Sequence, residues 1–96
     1  MYAVVRNYSG AGASQLFDEL DRRKADVEKL IRGVPGFVSY TLMRTGDGGI
    51  SVTVCRDKAG TDESVRIAAG WIRENMPATG AQPPKISEGE TILQLS

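Results

Sequence analysis

An amide at Asn7, a guanidinium at Arg23, an indole at Trp71 and a thiol at Cys55 are the side chains whose types and positions could do chemistry. Asn7 stands among apolar, strand-like residues, where an amide could polarise a substrate oxygen or steady an oxyanion. It could equally bond the turn "SGAG" that follows. Arg23 falls inside the apolar stripe of a predicted helix, between Leu16 and Leu30 on the helical count. A guanidinium aimed at the core side could bind a carboxylate or phenolate; alternatively its stem packs and its head reaches Glu19 or Asp26. Trp71 lies about 120° around its helix from the apolar stripe, at about 100° per residue. Ser64 and Asn75 share that flank, and together the three could wall a pocket between helix and sheet, or Trp71 could simply cover the helix edge. Tyr2, Tyr8 and Tyr40 could orient a phenolic ligand or serve as strand packing. Glu88 and Glu90, two residues apart in "ISEGE", suit a solvated edge strand better than acid–base work.

Other chemistries are set aside by what is missing. The chain has no histidine, so no Ser-His-Asp or Cys-His arrangement can form, and the commonest general base at neutral pH is lost. One cysteine with carboxylates matches no usual zinc set, so no metal is expected. A catalytic thiol needs a base or an electropositive setting. The sequence neighbours of Cys55 are Arg56, on the opposite face of the strand, and Lys58 beyond it. The sequence therefore gives Cys55 no activating neighbour.

The elements that must position these residues follow from period and punctuation. "MYAVVRNY" reads as strand one. Ser14 is the expected N-cap of a helix to Arg32, with Leu16, Leu20, Val27, Leu30 and Ile31 as its apolar stripe and Gly33 at C′. "FVSYTLMR" and "ISVTVCR" are strands two and three across the hairpin turn "TGDGG". Thr61 is the expected N-cap of the second helix, whose stripe is Val65, Ala68, Ala69, Ile72 and Met76, and Pro77 ends it. "ATGAQPP" is a loop and "KISEGETILQLS" the last strand, interrupted by Gly89. In strand three, Ile50, Val52 and Val54 face one way and Ser51, Thr53 and Cys55 the other.

The order is βαββαβ, predicting an α+β, ferredoxin-like domain over residues 1–96 with a four-stranded antiparallel sheet and two helices on one face. The other face then exposes apolar side chains and calls for a partner, a second copy closing sheet on sheet. Ninety-six residues bury a modest core, and a lone cysteine offers no internal disulfide. Twelve basic and twelve acidic residues cancel, so nucleic acid has no global attraction to the chain. No run reaches membrane-span length and Met1 leads directly into strand-like sequence; the expected location is cytoplasmic, without a membrane partner.

The stretches "MYAVVRNY", "PGFVSYTLMR", "SVTVCRDKAG" and "PPKISEGE", in that order over essentially the full length, resemble the dimeric α+β barrel superfamily, close to its antibiotic biosynthesis monooxygenase-like group. The resemblance implies a homodimeric barrel. It also implies a function among cofactor-independent oxygenases of phenolic compounds, haem-degrading enzymes, small isomerases or non-catalytic binding proteins. In the haem-degrading branch an Asn on strand one, a Trp early on the second helix and a later His form the site. Asn7 falls at the Asn position, Ser64 takes the Trp position, and no His exists, which argues against that branch. In the resemblance an aromatic residue commonly stands where Cys55 stands, which implies that Cys55 is a small apolar replacement packed beneath the second helix and a determinant of pocket volume near Trp71. The implied function is oxygenation of a small aromatic or quinonoid ligand without a cofactor, with Asn7 as polariser, Trp71, Tyr40, Ser64, Asn75 and Cys55 in the pocket and Arg23 as anion anchor. The alternative is a barrel that binds such a ligand, or serves in stress, without chemistry.

Overall fold

The computed structural model describes residues 1–95. Strands β1 (Tyr2–Tyr8), β2 (Phe37–Thr45), β3 (Gly48–Cys55) and β4 (Lys85–Glu90) form one antiparallel sheet in the order β2-β3-β1-β4. Between β1 and β2 run α1 (Ala13–Arg22) and α2 (Lys24–Arg32), and α3 (Lys58–Asn75) links β3 to a short 3-10 turn, Pro77–Thr79, ahead of β4. This is the ferredoxin-like βαββαβ arrangement expected from the sequence, with the first crossover helix divided in two. No helix among the described residues is long and apolar enough to cross a membrane.

The division falls at Arg23, whose backbone leaves the helical region at φ −111°, ψ 30°. The N–H groups of Asp26 and Val27 both reach the Arg23 carbonyl, at 3.0 and 3.1 Å, so the second helix restarts from that residue. Other boundaries also shift. Gly12, not Ser14, precedes α1, in the left-handed region at φ 84°. A Cβ there would stand 2.5 Å from the Thr79 carbonyl oxygen, so only glycine allows the 3-10 turn to press against the start of α1. Gly33 ends α2 in right-handed geometry, φ −81°, because the turn closes through the Val34 N–H to Ile31. The N-cap of α3 is Asp57, whose carboxylate accepts from the Gly60 N–H at 3.0 Å. Thr61 lies inside the helix, donating its hydroxyl to the Lys58 carbonyl. The last strand ends at Glu90: the Thr91 N–H still bonds Met1, but Ile92, Leu93 and Leu95 leave the sheet and stand exposed.

Side-chain alternation sorts the sheet into two faces. Tyr2, Val4, Arg6 and Tyr8 of β1 align with Cys55, Thr53, Ser51 and Gly49 of β3. Their faces turn to the helices, where Leu16, Phe17, Leu20, Val27 and Ile31 complete the core. Val5, Val52, Ile50 and Met43 belong to the opposite face, which no helix or strand covers among the described residues; the segment after β4 reaches it at Ser39, where Gln94 Nε2 donates to the hydroxyl at 3.4 Å.

Helix α3 meets the sheet differently from expectation. Its buried positions are Gly60, Thr61, Ser64 and Ala68, a line of small residues. At Gly60 a Cβ would stand 2.5 Å from the Pro35 carbonyl oxygen and 2.8 Å from Cys55 Cβ. The close approach leaves Val65 half-buried and Ala69 exposed on the rim between α3 and β4, while Ile72 packs against the edge of the core. Of the expected stripe, Ala68 and Met76 are buried, Ile72 packs on the core, and Val65 and Ala69 border open space.

Candidate functional site

The alternation of β1 places a guanidinium in the core. Arg6 lies between the apolar positions Val4 and Tyr8 on the helix-facing side and is 3% exposed. In the sheet it stands between Ser51 of β3 and Ile86 of β4. Its Nε donates to Ser51 Oγ at 2.8 Å, while Nη1 is buried without any partner. Arg6 pairs with no carboxylate among the described residues. A buried cation without a counter-charge costs several kcal/mol, roughly, after relaxation. A fold retains such a group when something else meets the charge.

Two spaces adjoin it. One is a cleft of about 630 Å³, half open to solvent, between α3, the β1–β4 side of the sheet and the loop from Pro77 to Pro84. Leu16, Val65, Ala69, Ile72, Met76 and Ile86 give it apolar walls, with Arg6 and Tyr8 on one side and Arg73 also on its lining. No carboxylate lines it. The other is a smaller space of about 20 Å³ lined by Arg6, Tyr8, Tyr40, Ser51, Trp71 and apolar residues of α1, α2 and α3. That is room for about one water-sized molecule. Arg6, Tyr8 and Ile72 border both spaces. A further groove of about 390 Å³ between α2 and β2 carries its own mixed charges, Lys24, Glu28 and Arg32, and does not reach Arg6.

The tyrosines around the cation are held as neutral phenols. Burial pushes the Tyr8 hydroxyl above its ordinary value; the Arg6 charge pulls it down by less, and Tyr40 adds to the rise. Burial likewise raises Tyr40, against the charge of Arg6 and hydrogen bonding with Ser51 and Arg6. Neither phenol can take a proton at neutral pH, whereas both can donate a hydrogen bond. The arrangement offers a guanidinium and phenolic donors, groups suited to an anionic oxygen, and the cleft and the smaller space hold no carboxylate.

The residues predicted from sequence are distributed around this centre rather than gathered in it. Trp71 and Tyr40 line the smaller space. Arg23 stacks its guanidinium 5.0 Å from the centre of the Trp71 ring and pairs with Asp26 at 3.2 Å, so its charge is used at the helix break. Ser64 is fully buried, and its hydroxyl donates to the Thr61 carbonyl at 2.7 Å, closing its hydrogen bonding within α3. Asn75 is exposed, its amide donating to the Trp71 carbonyl at 2.9 Å. Cys55 is fully buried beneath Gly60, at the far end of α3 from Trp71, and lines neither the cleft nor the smaller space. Burial, then the neighbouring Asp57 charge, push its thiol pKa up, opposite to what a nucleophile needs. Asn7 projects to the uncovered face, in register with Ile50 and Lys85, and is exposed. The sheet itself separates Asn7 from the cleft.

Arg6 is the residue that sequence reading passed over. The signal is present: in "YAVVRNY" the even positions are Tyr, Val, Arg and Tyr, a charge on the face that the apolar neighbours mark as core.

No protein-family model matches the sequence, and no curated protein matches it. Solved structures do. A protein of unknown function from Nitrosomonas europaea superposes with a TM-score of 0.69 at 19% identity, covering 99% of this chain and 91% of that one. SnoaB, a cofactor-independent oxygenase from Streptomyces nogalater, gives a TM-score of 0.62 at 21% identity over 98% and 95% of the two chains. The haem degrader MhuD from Mycobacterium tuberculosis gives 0.54 at 21% identity over 99% and 98%. Proteins with different activities thus share this architecture, and function has to be argued from the site. The chain shares with these structures the ferredoxin-like α+β fold.

Proposed function

We propose that the cleft takes a small planar aromatic or quinonoid molecule carrying an ionised oxygen, and that the protein is a cofactor-independent monooxygenase of such compounds, acting as a homodimer. The observation that carries the reading is Arg6: a buried guanidinium with a free Nη1, on the wall of an apolar cleft that supplies no counter-ion. A phenolate that reaches Nη1 from the cleft, with the side chains covering that atom moved aside, would complete its hydrogen bonding, and charge-assisted bonds of this kind are about twice as strong as neutral ones. Apolar walls from α3 and β4 suit a flat ring, and Tyr8, on the same lining, can donate to a second oxygen.

In the reaction, the bound phenolate passes an electron to dioxygen. Recombination of the radical pair forms a carbon–oxygen bond and a peroxide anion. Loss of the ring proton with cleavage of the oxygen–oxygen bond leaves a quinone carbonyl and water. Phenol and dioxygen thus become quinone and water, with dioxygen as the oxidant. Arg6 would hold negative charge throughout, on substrate oxygen and then on peroxide. Since no group in the cleft accepts a proton, the substrate must arrive ionised or be acidified by Arg6. Haem is a poorer occupant, because the chain has no histidine and Cys55 lies outside the cleft. The same lack of a base favours a second reading, a barrel that binds an anionic aromatic molecule without converting it.

The homodimer is supported by the uncovered face, where Val5, Val52 and Met43 stand together and Met43 is 48% exposed. Oxygen uptake with a panel of hydroquinones tests the function. Uptake by the wild type that falls at least about tenfold in Arg6→Met and is unchanged in Asn7→Ala supports the oxygenase. Binding without uptake leaves the second reading, and loss confined to Asn7→Ala moves the chemistry to the other face of the sheet.

A further inference from the structure

The cleft holds two guanidiniums and no carboxylate, although the chain as a whole is electrically neutral. Arg6 is one of them. The other, Arg73, lies in the last turn of α3, is exposed, and makes no ion pair among the described residues. Its nearest equivalents on the same helix behave differently: Lys58 is paired with Asp62 and Glu88, and Arg66 with Glu63. Ala69, Ile72 and Met76 share the cleft wall with Arg73, so an apolar surface joins the two charges. We infer that the ligand is a doubly anionic aromatic acid, with an ionised ring oxygen on Arg6 and a carboxylate, carried away from that oxygen, on Arg73 at the solvent side. The inference rests on the reading of the cleft given above and adds a specificity-determining residue to it.

The position explains why a second anchor would discriminate among ligands. A planar ring held only at Arg6 can rotate about that contact within apolar walls. A carboxylate on Arg73 fixes the ring's direction, and guanidinium recognises carboxylate by paired, coplanar hydrogen bonds. Exposure of Arg73 limits the gain to a modest factor and makes it sensitive to salt.

Two probes separate the inference from the reading beneath it: a hydroxynaphthoquinone, ionised at neutral pH and coloured, and the same compound bearing a carboxylate on its other ring. Binding is measured by titration with the wild type, Arg73→Gln and Arg66→Gln, the last removing a cation that does not line the cleft. The carboxylated probe is expected to bind the wild type about fivefold more tightly than the plain one. That advantage should vanish in Arg73→Gln and survive in Arg66→Gln, while the plain probe binds all three proteins alike. Equal affinity of the two probes for the wild type overturns the inference and leaves the cleft reading standing. So does an advantage that survives Arg73→Gln or is lost equally in Arg66→Gln. Failure of both probes to bind the wild type overturns the cleft reading and the inference with it.

Discussion

Replacing Arg6 should strengthen the fold while weakening the site. Arg6→Met removes a buried charge at nearly constant volume, and exchanging an unpaired or poorly paired buried ion for an apolar side chain is neutral to stabilising by about 1–4 kcal/mol. Two local losses act against this. The 2.8 Å bond from Arg6 Nε to Ser51 Oγ disappears, and a buried hydroxyl left without its partner costs about 1–3 kcal/mol. The single variant should therefore lie between unchanged and about 2 kcal/mol more stable than the wild type. Adding Ser51→Ala removes the stranded hydroxyl, and the double variant should gain about 1–3 kcal/mol, roughly 5–20 °C in melting temperature for a chain of this size. Urea and thermal melts read these values without any ligand. In parallel, affinity for an ionised hydroxynaphthoquinone should fall by about 10- to 100-fold in both variants, the loss of one or two charge-assisted hydrogen bonds. A ligand-free Arg6→Met protein destabilised by more than about 2 kcal/mol would refute the reasoning, because Arg6 would then be an ordinary structural group whose partners had been misjudged.

Three further outcomes follow from the geometry. Tyr8 and Tyr40 are both raised above the ordinary value of 10.0, chiefly by burial. Above that pH the unfolded chain releases protons that the folded chain still holds, so their contribution is intact at neutral pH and stability falls as pH climbs past 10; melts that improve with alkali would contradict this. Cys55, fully buried with a raised thiol pKa, should react with a thiol reagent only through unfolding, at least about a thousandfold more slowly than in urea-denatured chain; prompt labelling of the native protein would show an open path to it. On the uncovered face, Val52→Glu should shift the sedimenting species from dimer to monomer at micromolar concentration, as burial of an unpaired carboxylate between two sheets costs several kcal/mol, roughly; a wild type that sediments as a monomer would remove the dimer from the account.

Much of the fold could be read from the chain because its signals are local and agree with one another. The period of two in strands one and three, the TGDGG turn and Pro77 each mark an element independently, and the sheet order follows from the crossovers. What could not be read depends on contacts between distant residues. The break at Arg23 has no glycine or proline to announce it; it coincides with a cation stacked on Trp71 from another helix. The seating of α3 follows from the fit of Gly60 over Cys55 and Pro35, which no periodicity of α3 alone reveals. That fit also explains why Val65 and Ala69, core positions by spacing, line a cleft instead, while Ala68 and Met76 stay buried. Among the candidate site residues, Trp71 and Tyr40 meet around Arg6. Asn7 does not, since one step along a strand moves a side chain to the other face of the sheet. Arg6 itself was legible from alternation alone, by asking which residue on the core face of β1 does not belong there.

The most direct test of Arg6 as the anchor is nuclear magnetic resonance of the arginine side chains during titration with the ionised hydroxynaphthoquinone. Saturable shifts of the Arg6 Nε–H signal, together with those of backbone amides on the α3 rim and the 77–84 loop, are the predicted result. Shifts confined to Asn7 and its neighbours on the uncovered face, with Arg6 unmoved, would contradict it.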